Sequence, residues 1–172
     1  MFESNTFSDN SAVNTNSYSA GVYIDDSTVF MNGNFFFRNT AWVGGALYFE
    51  DSHVEAFCNK FEGNQALKDV EFNDCYGGAI SLGDSSLDAK FNQFINNTAT
   101  GGSGGAIYSA SSQLYFTSNN FSFNTADYGG AVYGEGSGIV TNADSFTKNA
   151  ATVSFILNFN QIEICLFIEA FI

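Results

Sequence analysis

A chain of 172 residues with 45% apolar content can bury one core, while a formal charge of −13 with only five Lys and Arg excludes nucleic acid as a partner, since phosphate binding needs clustered cations. Twenty Phe, eight Tyr and seventeen Gly beside no Pro exclude both a disordered acidic chain and an ordinary helical domain. The absence of Pro suits a chain whose strands all donate to a ladder.

In chain order, two markers alternate. The first is Asn-x-Phe-x-x-Asn-x-Ala, met as Asn5, Phe7, Asn10, Ala12 and again from Asn34, Asn59, Asn92 and Asn119, with a variant from Asp144. The second is Gly-Gly-Ala followed by an aliphatic residue, at Gly44, Gly77, Gly104 and Gly129, preceded by a degenerate Ser19-Ala20-Gly21-Val22. From marker start to the next Phe the distance is always 17 residues (19 to 36, 44 to 61, 77 to 94, 104 to 121, 129 to 146), whereas the coils measure 25, 33, 27 and 25. A fixed leg alternating with an elastic one is the signature of a solenoid, in which stacked strands keep register and one turn bulges into solvent. The longest coil places its extra residues between Lys68 and Asp74, read as an exposed turn.

Eight residues into each coil stands a Ser (Ser27, Ser52, Ser85, Ser112, Ser137), a turn residue bonding its own backbone. Apolar residues alternate after it, as in Val54 and Ala56 or Leu87 and Ala89. Each coil is thus expected to supply three short strands: after Gly-Gly, after the Ser, and around the Phe. The reading is an all-β, right-handed parallel β-helix of about five to six coils over residues 1–151. The Phe column is its core, and the Asn columns are internal ladders that bond from coil to coil. Residues 152–172 depart from the repeat and are read as an end cap or as translated non-coding sequence. Two Glu in that stretch disfavour a transmembrane helix.

Paired Phe-x-x-Asn and Gly-Gly-Ala-(Ile/Leu/Val) resemble the repeat of the chlamydial polymorphic outer membrane proteins and of related repeat proteins in other bacteria and in protists. The resemblance spans roughly residues 5–151. It implies a β-helical segment displayed extracellularly at the cell surface, like an autotransporter passenger, with an adhesin's role and a cell-surface protein or glycan as partner. It carries no catalytic residues and no cofactor. No signal peptide opens the chain, which begins inside a repeat and reads as a fragment of a longer protein.

Candidate sites follow from columns. Tyr23, Tyr48, Tyr108 and Tyr133, with Ser81 between them, recur four residues into each coil. With the flanking aliphatic residues turned inward, they form an outward stripe able to stack sugars or meet a protein. Asp25, Asp26, Glu50, Asp51 and Asp84, with Glu135, form an acidic column, favoured as a solvated turn over a Ca²⁺ site. A carbohydrate-active lyase or hydrolase is the alternative function. It needs a basic residue or carboxylates in one groove, but Arg38 is the single Arg and the carboxylates repeat from coil to coil. His53 is a lone outward strand position without a Ser or Asp partner at a telling place, read as solvent-facing. Cys58, Cys75 and Cys165 lack metal-ligand spacing and, odd in number, declare no disulfide framework, although a Cys58–Cys75 bridge would staple the longest coil.

Overall fold

A computed structural model describes residues 1–13, 18–68, 74–154 and 157–159. They form a parallel β-solenoid of about five coils with no helix among them, built on four sheets and not three. The marker sheet holds Val22–Asp25, Leu47–Glu50, Ile80–Gly83, Ile107–Ala110, Val132–Glu135 and Leu157–Phe159. The serine sheet holds Phe2–Glu3, Thr28–Asn32, His53–Phe57, Ser86–Lys90, Gln113–Thr117 and Gly138–Asn142. The phenylalanine sheet holds Thr6–Ser8, Phe35–Phe37, Lys60–Glu62, Gln93–Ile95, Asn120–Ser122 and Ser145–Thr147. The fourth, an alanine sheet, holds Thr40–Ala41, Gln65–Leu67, Thr98–Ser103, Thr125–Tyr128 and Ala150–Ser154. Its strands send one small residue inward, too little apolar alternation to announce a strand.

Four sheets need four corners per coil, and each corner turns on a left-handed residue. The corner before the first Asn uses Ser4, Gly33, Cys58, Phe91, Ser118 and Ala143, and that before the second uses Asp9, Arg38, Gly63, Asn96, Phe123 and Lys148, all at positive φ. A non-glycine residue there costs about 1–2 kcal/mol. The Asn that follows offsets it. Asn97, for example, donates its backbone N–H and its Nδ2 to Asn124 Oδ1 (both 3.0 Å) and Nδ2 again to the Phe61 carbonyl at 3.0 Å. The same pattern runs through Asn39, Asn64 and Asn124 in one column and Asn34, Asn59 and Asn92 in the other. The first column ends on a carboxylate: Asn119 donates N and Nδ2 to Asp144 Oδ1 at 2.7 and 2.8 Å, while Thr141 Oγ1 and Asn142 N donate to its Oδ2. Among the described residues no buried side-chain N or O lacks a partner.

The serines form a third ladder. Ser52 Oγ donates to the Glu50 carbonyl at 2.7 Å, the expected turn bond, and also accepts the Ser27 N–H from the neighbouring coil. Gly-Gly has a different logic at each position. The first glycine (Gly44, Gly77, Gly104, Gly129) has φ between 56° and 73°, and a Cβ on the second would lie 2.3–2.7 Å from alanine-sheet backbone, as Gly45 would at 2.5 Å from the Gln65 carbonyl oxygen. That close approach is why this side of the core is lined by Ala66, Ala99 and Ala126.

The main core is the phenylalanine column. Phe7, Phe36, Phe61, Phe94, Phe121 and Phe146 stack face to face, centroids 4.7–4.9 Å apart and planes within 4°. Each buried Phe contributes about 1.5–3 kcal/mol of apolar transfer. Leu47, Ile80, Ile107 and Val132 fill the marker-sheet side, and Leu87, Ala89, Leu114 and Phe116 the serine-sheet side.

One open pairing is decided and one expectation is corrected. Cys58 and Cys75 are free, Cys58 exposed on a corner and Cys75 buried beside Ala66 and Ala99, so no bridge staples the longest coil; Cys165 lies outside the described residues. Nor is the whole Lys68–Asp74 stretch a detached turn. Residues 69–73 lie outside the described set, but Asp74 accepts Trp42 Nε1–H through its carbonyl at 2.8 Å and Tyr76 O–H through its carboxylate at 2.9 Å. Most of the expected end cap, residues 155–156 and 160–172, also falls outside the described residues.

Candidate functional site

The outward face of the marker sheet gathers the tyrosines. Strand alternation turns Leu47 and Phe49 inward and Tyr48 outward, and parallel register sets Tyr23 beside Tyr48 and Tyr108 beside Tyr133. Tyr23 and Tyr48 stack at 5.2 Å, Tyr108 and Tyr133 at 5.8 Å. The stripe is not fully solvent-facing: Tyr23 is 50% exposed, but Tyr48, Tyr108 and Tyr133 are half-buried.

What covers them is a second column, the residue immediately before each marker: Tyr18, Val43, Tyr76, Ser103, Tyr128. Tyr18 stacks on Tyr48 at 5.4 Å and meets Trp42 at 5.9 Å; Tyr76 meets Tyr108 at 4.6 Å; Tyr128 meets Tyr133 edge-on at 6.4 Å. In the coil where the stripe carries the buried Ser81, the preceding column supplies Tyr76. The recurrence of Tyr just before Gly-Gly was the available signal for this column. It sits on the leg whose length varies, and so does not align at a fixed distance from the preceding Phe.

The hydroxyls are tied to carboxylates one coil on. Tyr23 O–H donates to Glu50 at 3.0 Å and Tyr108 O–H to Glu135 at 2.8 Å. Where the matching carboxylate is missing, Gly83 takes its place, and a Cβ there would lie 3.5 Å from Tyr48 Oη. Burial, followed by the hydrogen bond and charge of Glu135, holds the Tyr108 phenol well above its ordinary range. Burial and then Glu50 do the same for Tyr48 and Tyr23; burial and the Glu135 charge raise Tyr133. Burial and Asp74 push Tyr76 up to about 12. All five are neutral donors at physiological pH.

The acidic column divides in two. Asp26, Asp51 and Asp84 occupy the left-handed corner between marker and serine sheets at φ 44–48°, where Ser111 and Gly136 stand in the later coils. Asp is suited to that conformation, so three of the acidic positions are turn residues. Asp25, Glu50 and Glu135 stand one residue earlier at the outer ends of marker strands. Among the described residues no three His, Cys, Asp or Glu side chains come together as a metal centre.

His53 is not partnerless. Parallel register sets it opposite Ser86, 33 residues away, with Nδ1 to Oγ at 2.6 Å and Nε2 to Glu55 Oε1 at 3.8 Å. A Ser, His and Glu in a row invite a hydrolytic reading. His53 and Ser86 open their strands on an exposed sheet face, and their own backbone N–H groups are spent on the Ser27 and Ser52 carbonyls, so neither is free to hold an oxyanion.

Residues 93–110 match the family model of the Chlamydia polymorphic membrane protein repeat. Over those residues the chain is similar to that repeat. The matched stretch runs from the phenylalanine strand Gln93–Ile95, through the alanine strand Thr98–Ser103, to the marker strand Ile107–Ala110, and so takes in two corners of the solenoid, at Asn96 and Gly104, with the three strands they join. No curated protein and no solved structure matches the chain. Among the described residues no helix is long and apolar enough to cross a membrane.

Proposed function

We propose that this chain is a non-catalytic scaffold displayed at the cell surface, binding a protein or glycan through the aromatic face of its marker sheet. The observation that carries the reading is the pair of outward aromatic columns, Tyr23, Tyr48, Tyr108 and Tyr133 flanked by Tyr18, Tyr76 and Tyr128, held in register by an interior that is hydrogen-bonded from coil to coil. Exposed aromatic patches on a rigid sheet are characteristic of contact surfaces, because little conformational entropy is lost when they are covered. The repeat family supports surface display.

The test is adhesion of beads coated with the purified chain to host-type cells, comparing the parent with a variant carrying Tyr23→Ser, Tyr48→Ser, Tyr108→Ser and Tyr133→Ser. The expected result is loss of adhesion with the far-ultraviolet spectrum kept. Adhesion equal to the parent's would remove the aromatic face as the contact. A catalytic reading would require hydrolysis abolished by His53→Ala or Ser86→Ala.

A further inference from the structure

Charge on the solenoid is segregated by face. Ion pairs between described residues lie on the serine and phenylalanine sheets and their corners: Arg38 with Asp9, Lys60 with Glu62, Lys90 with Asp88, and His53 beside Glu55. Four of the five cations are moreover seated over phenylalanine rings there, Arg38 over Phe37, Lys60 over Phe35, Lys90 over Phe57 and Lys148 over Phe123. The outer edge of the marker sheet is the opposite. In its first two coils Asp25, Asp26 and Asp51 are exposed, Glu50 is half-buried, and their hydrogen-bonding side-chain neighbour is a neutral phenol, Tyr23 on Glu50. Beside this edge stand the most open rings of the aromatic face, Tyr18 and Tyr23, 49% and 50% exposed. Successive coils repeat about every 4.8 Å, close enough for like charges in register to repel one another.

We infer that the first two coils form a docking surface for a basic polypeptide segment, whose Arg or Lys side chains would meet Asp25, Asp26, Glu50 and Asp51 while their stems and guanidinium planes cover Tyr18 and Tyr23. The inference deepens the surface-scaffold reading and rests on it: it chooses a protein over a glycan, and a cationic one. Charge complementarity is the argument. A flat aromatic wall alone would accept a sugar, but neutral sugars do nothing to relieve the stacked carboxylates, and anionic ones are repelled by them. Guanidinium groups satisfy both halves of the surface at once.

The chain's overall charge alone would draw any cation, so the test holds that charge fixed. Binding of an arginine–glycine repeat peptide is measured by titration calorimetry for the parent, for Asp26→Asn/Glu50→Gln/Asp51→Asn, and for Glu3→Gln/Glu55→Gln/Glu62→Gln, which removes the same charge from the other sheets. Asn keeps the left-handed corner and Gln keeps an acceptor for Tyr23, so the first variant retains the fold. The expected result is a loss of about tenfold or more in the marker-edge variant and less than about twofold in the control. Tyr18→Ala/Tyr23→Ala, at unchanged charge, weakens the peptide severalfold. Equal losses in the two charge variants would overturn the inference. So would a serine–glycine peptide or a neutral oligosaccharide binding the parent as tightly, or Ca²⁺ alone raising the melting temperature of the parent and not of the marker-edge variant while the peptide fails to bind. If the chain adheres to cells through its aromatic face and the basic peptide does not compete, the basic partner is refuted and adhesion stands; if nothing adheres, adhesion itself falls.

Discussion

Two aromatic columns run along the same solenoid, and they obey different rules. The inner one, Phe7 through Phe146, is unbroken over six residues, with near-identical centroid spacings and planes within 4°. The outer one is interrupted by Ser81, spaced at 5.2 and 5.8 Å, and tilted by up to 27°. The cause is confinement: an interior ring has neighbours above, below and on three sides, so one side chain and one rotamer fill the site. An outward ring is constrained only by coil spacing and by whatever carboxylate its hydroxyl can reach. The solenoid therefore fixes its inside by repetition and leaves its outside free to differ between coils, where binding specificity can reside.

The sharpest way to break this comparison is Phe94→Ala, which opens a cavity in mid-stack and should cost about 3–5 kcal/mol in urea unfolding. Next come Asn97→Ala and Asn124→Ala, each leaving ladder partners in a dry corner, with an expected loss of about 1–3 kcal/mol. If they unfold with the parent's midpoint, the amide ladders are ornaments and not supports. Changing Tyr48, Tyr108 and Tyr133 to Ser together should cost less than Phe94→Ala alone, since all three retain solvent on one side; a larger loss would place the outer column among the supports. The raised phenols give a pH signature. A group held neutral in the fold adds stability that is complete below the unfolded tyrosine value of about 10 and is lost as pH rises toward the folded value. With Tyr76 raised to about 12, denaturant midpoints should fall from near pH 10 upward, and absorbance should show tyrosinate appearing late. The smallest effect is chemical. Exposed Cys58 should take iodoacetamide at once in the native state, and Cys75, whose thiol burial pushes up to about 12, only on unfolding.

Most of the fold was legible in sequence because a solenoid writes each structural demand once per coil. Asn39, Asn64, Asn97 and Asn124 share a column because each must offer an acceptor to the corner below it, and the constant interval between Gly-Gly and Phe is the distance around two fixed sheets. The alanine sheet escaped because its inward side is filled by single small residues and by glycine backbone, which look like linker. The site was legible only in half. Tyr23, Tyr48, Tyr108 and Tyr133 stand at a fixed offset and could be found. Tyr18, Trp42 and Tyr76 lie on the leg of variable length, and the partners Ser86 for His53 and Glu135 for Tyr108 are a whole coil away, a distance that only register reveals.

The carboxylate that closes the first amide ladder has an electrical meaning. From Asn34 to Asn119 each side-chain amide points its NH2 toward the oxygen of the next coil, so the column is a row of dipoles aligned head to tail, each strengthening the next. Such a row has a positive end, and Asp144 stands there. Its carboxylate accepts from Asn119, Thr141 and Asn142 there, much as a side-chain oxygen caps the start of a helix, although no helix is involved. Asp144 has no NH2 to donate in its turn. The wire therefore has a polarity and a terminal: whatever coil follows Asp144 on that column must begin a new circuit of its own.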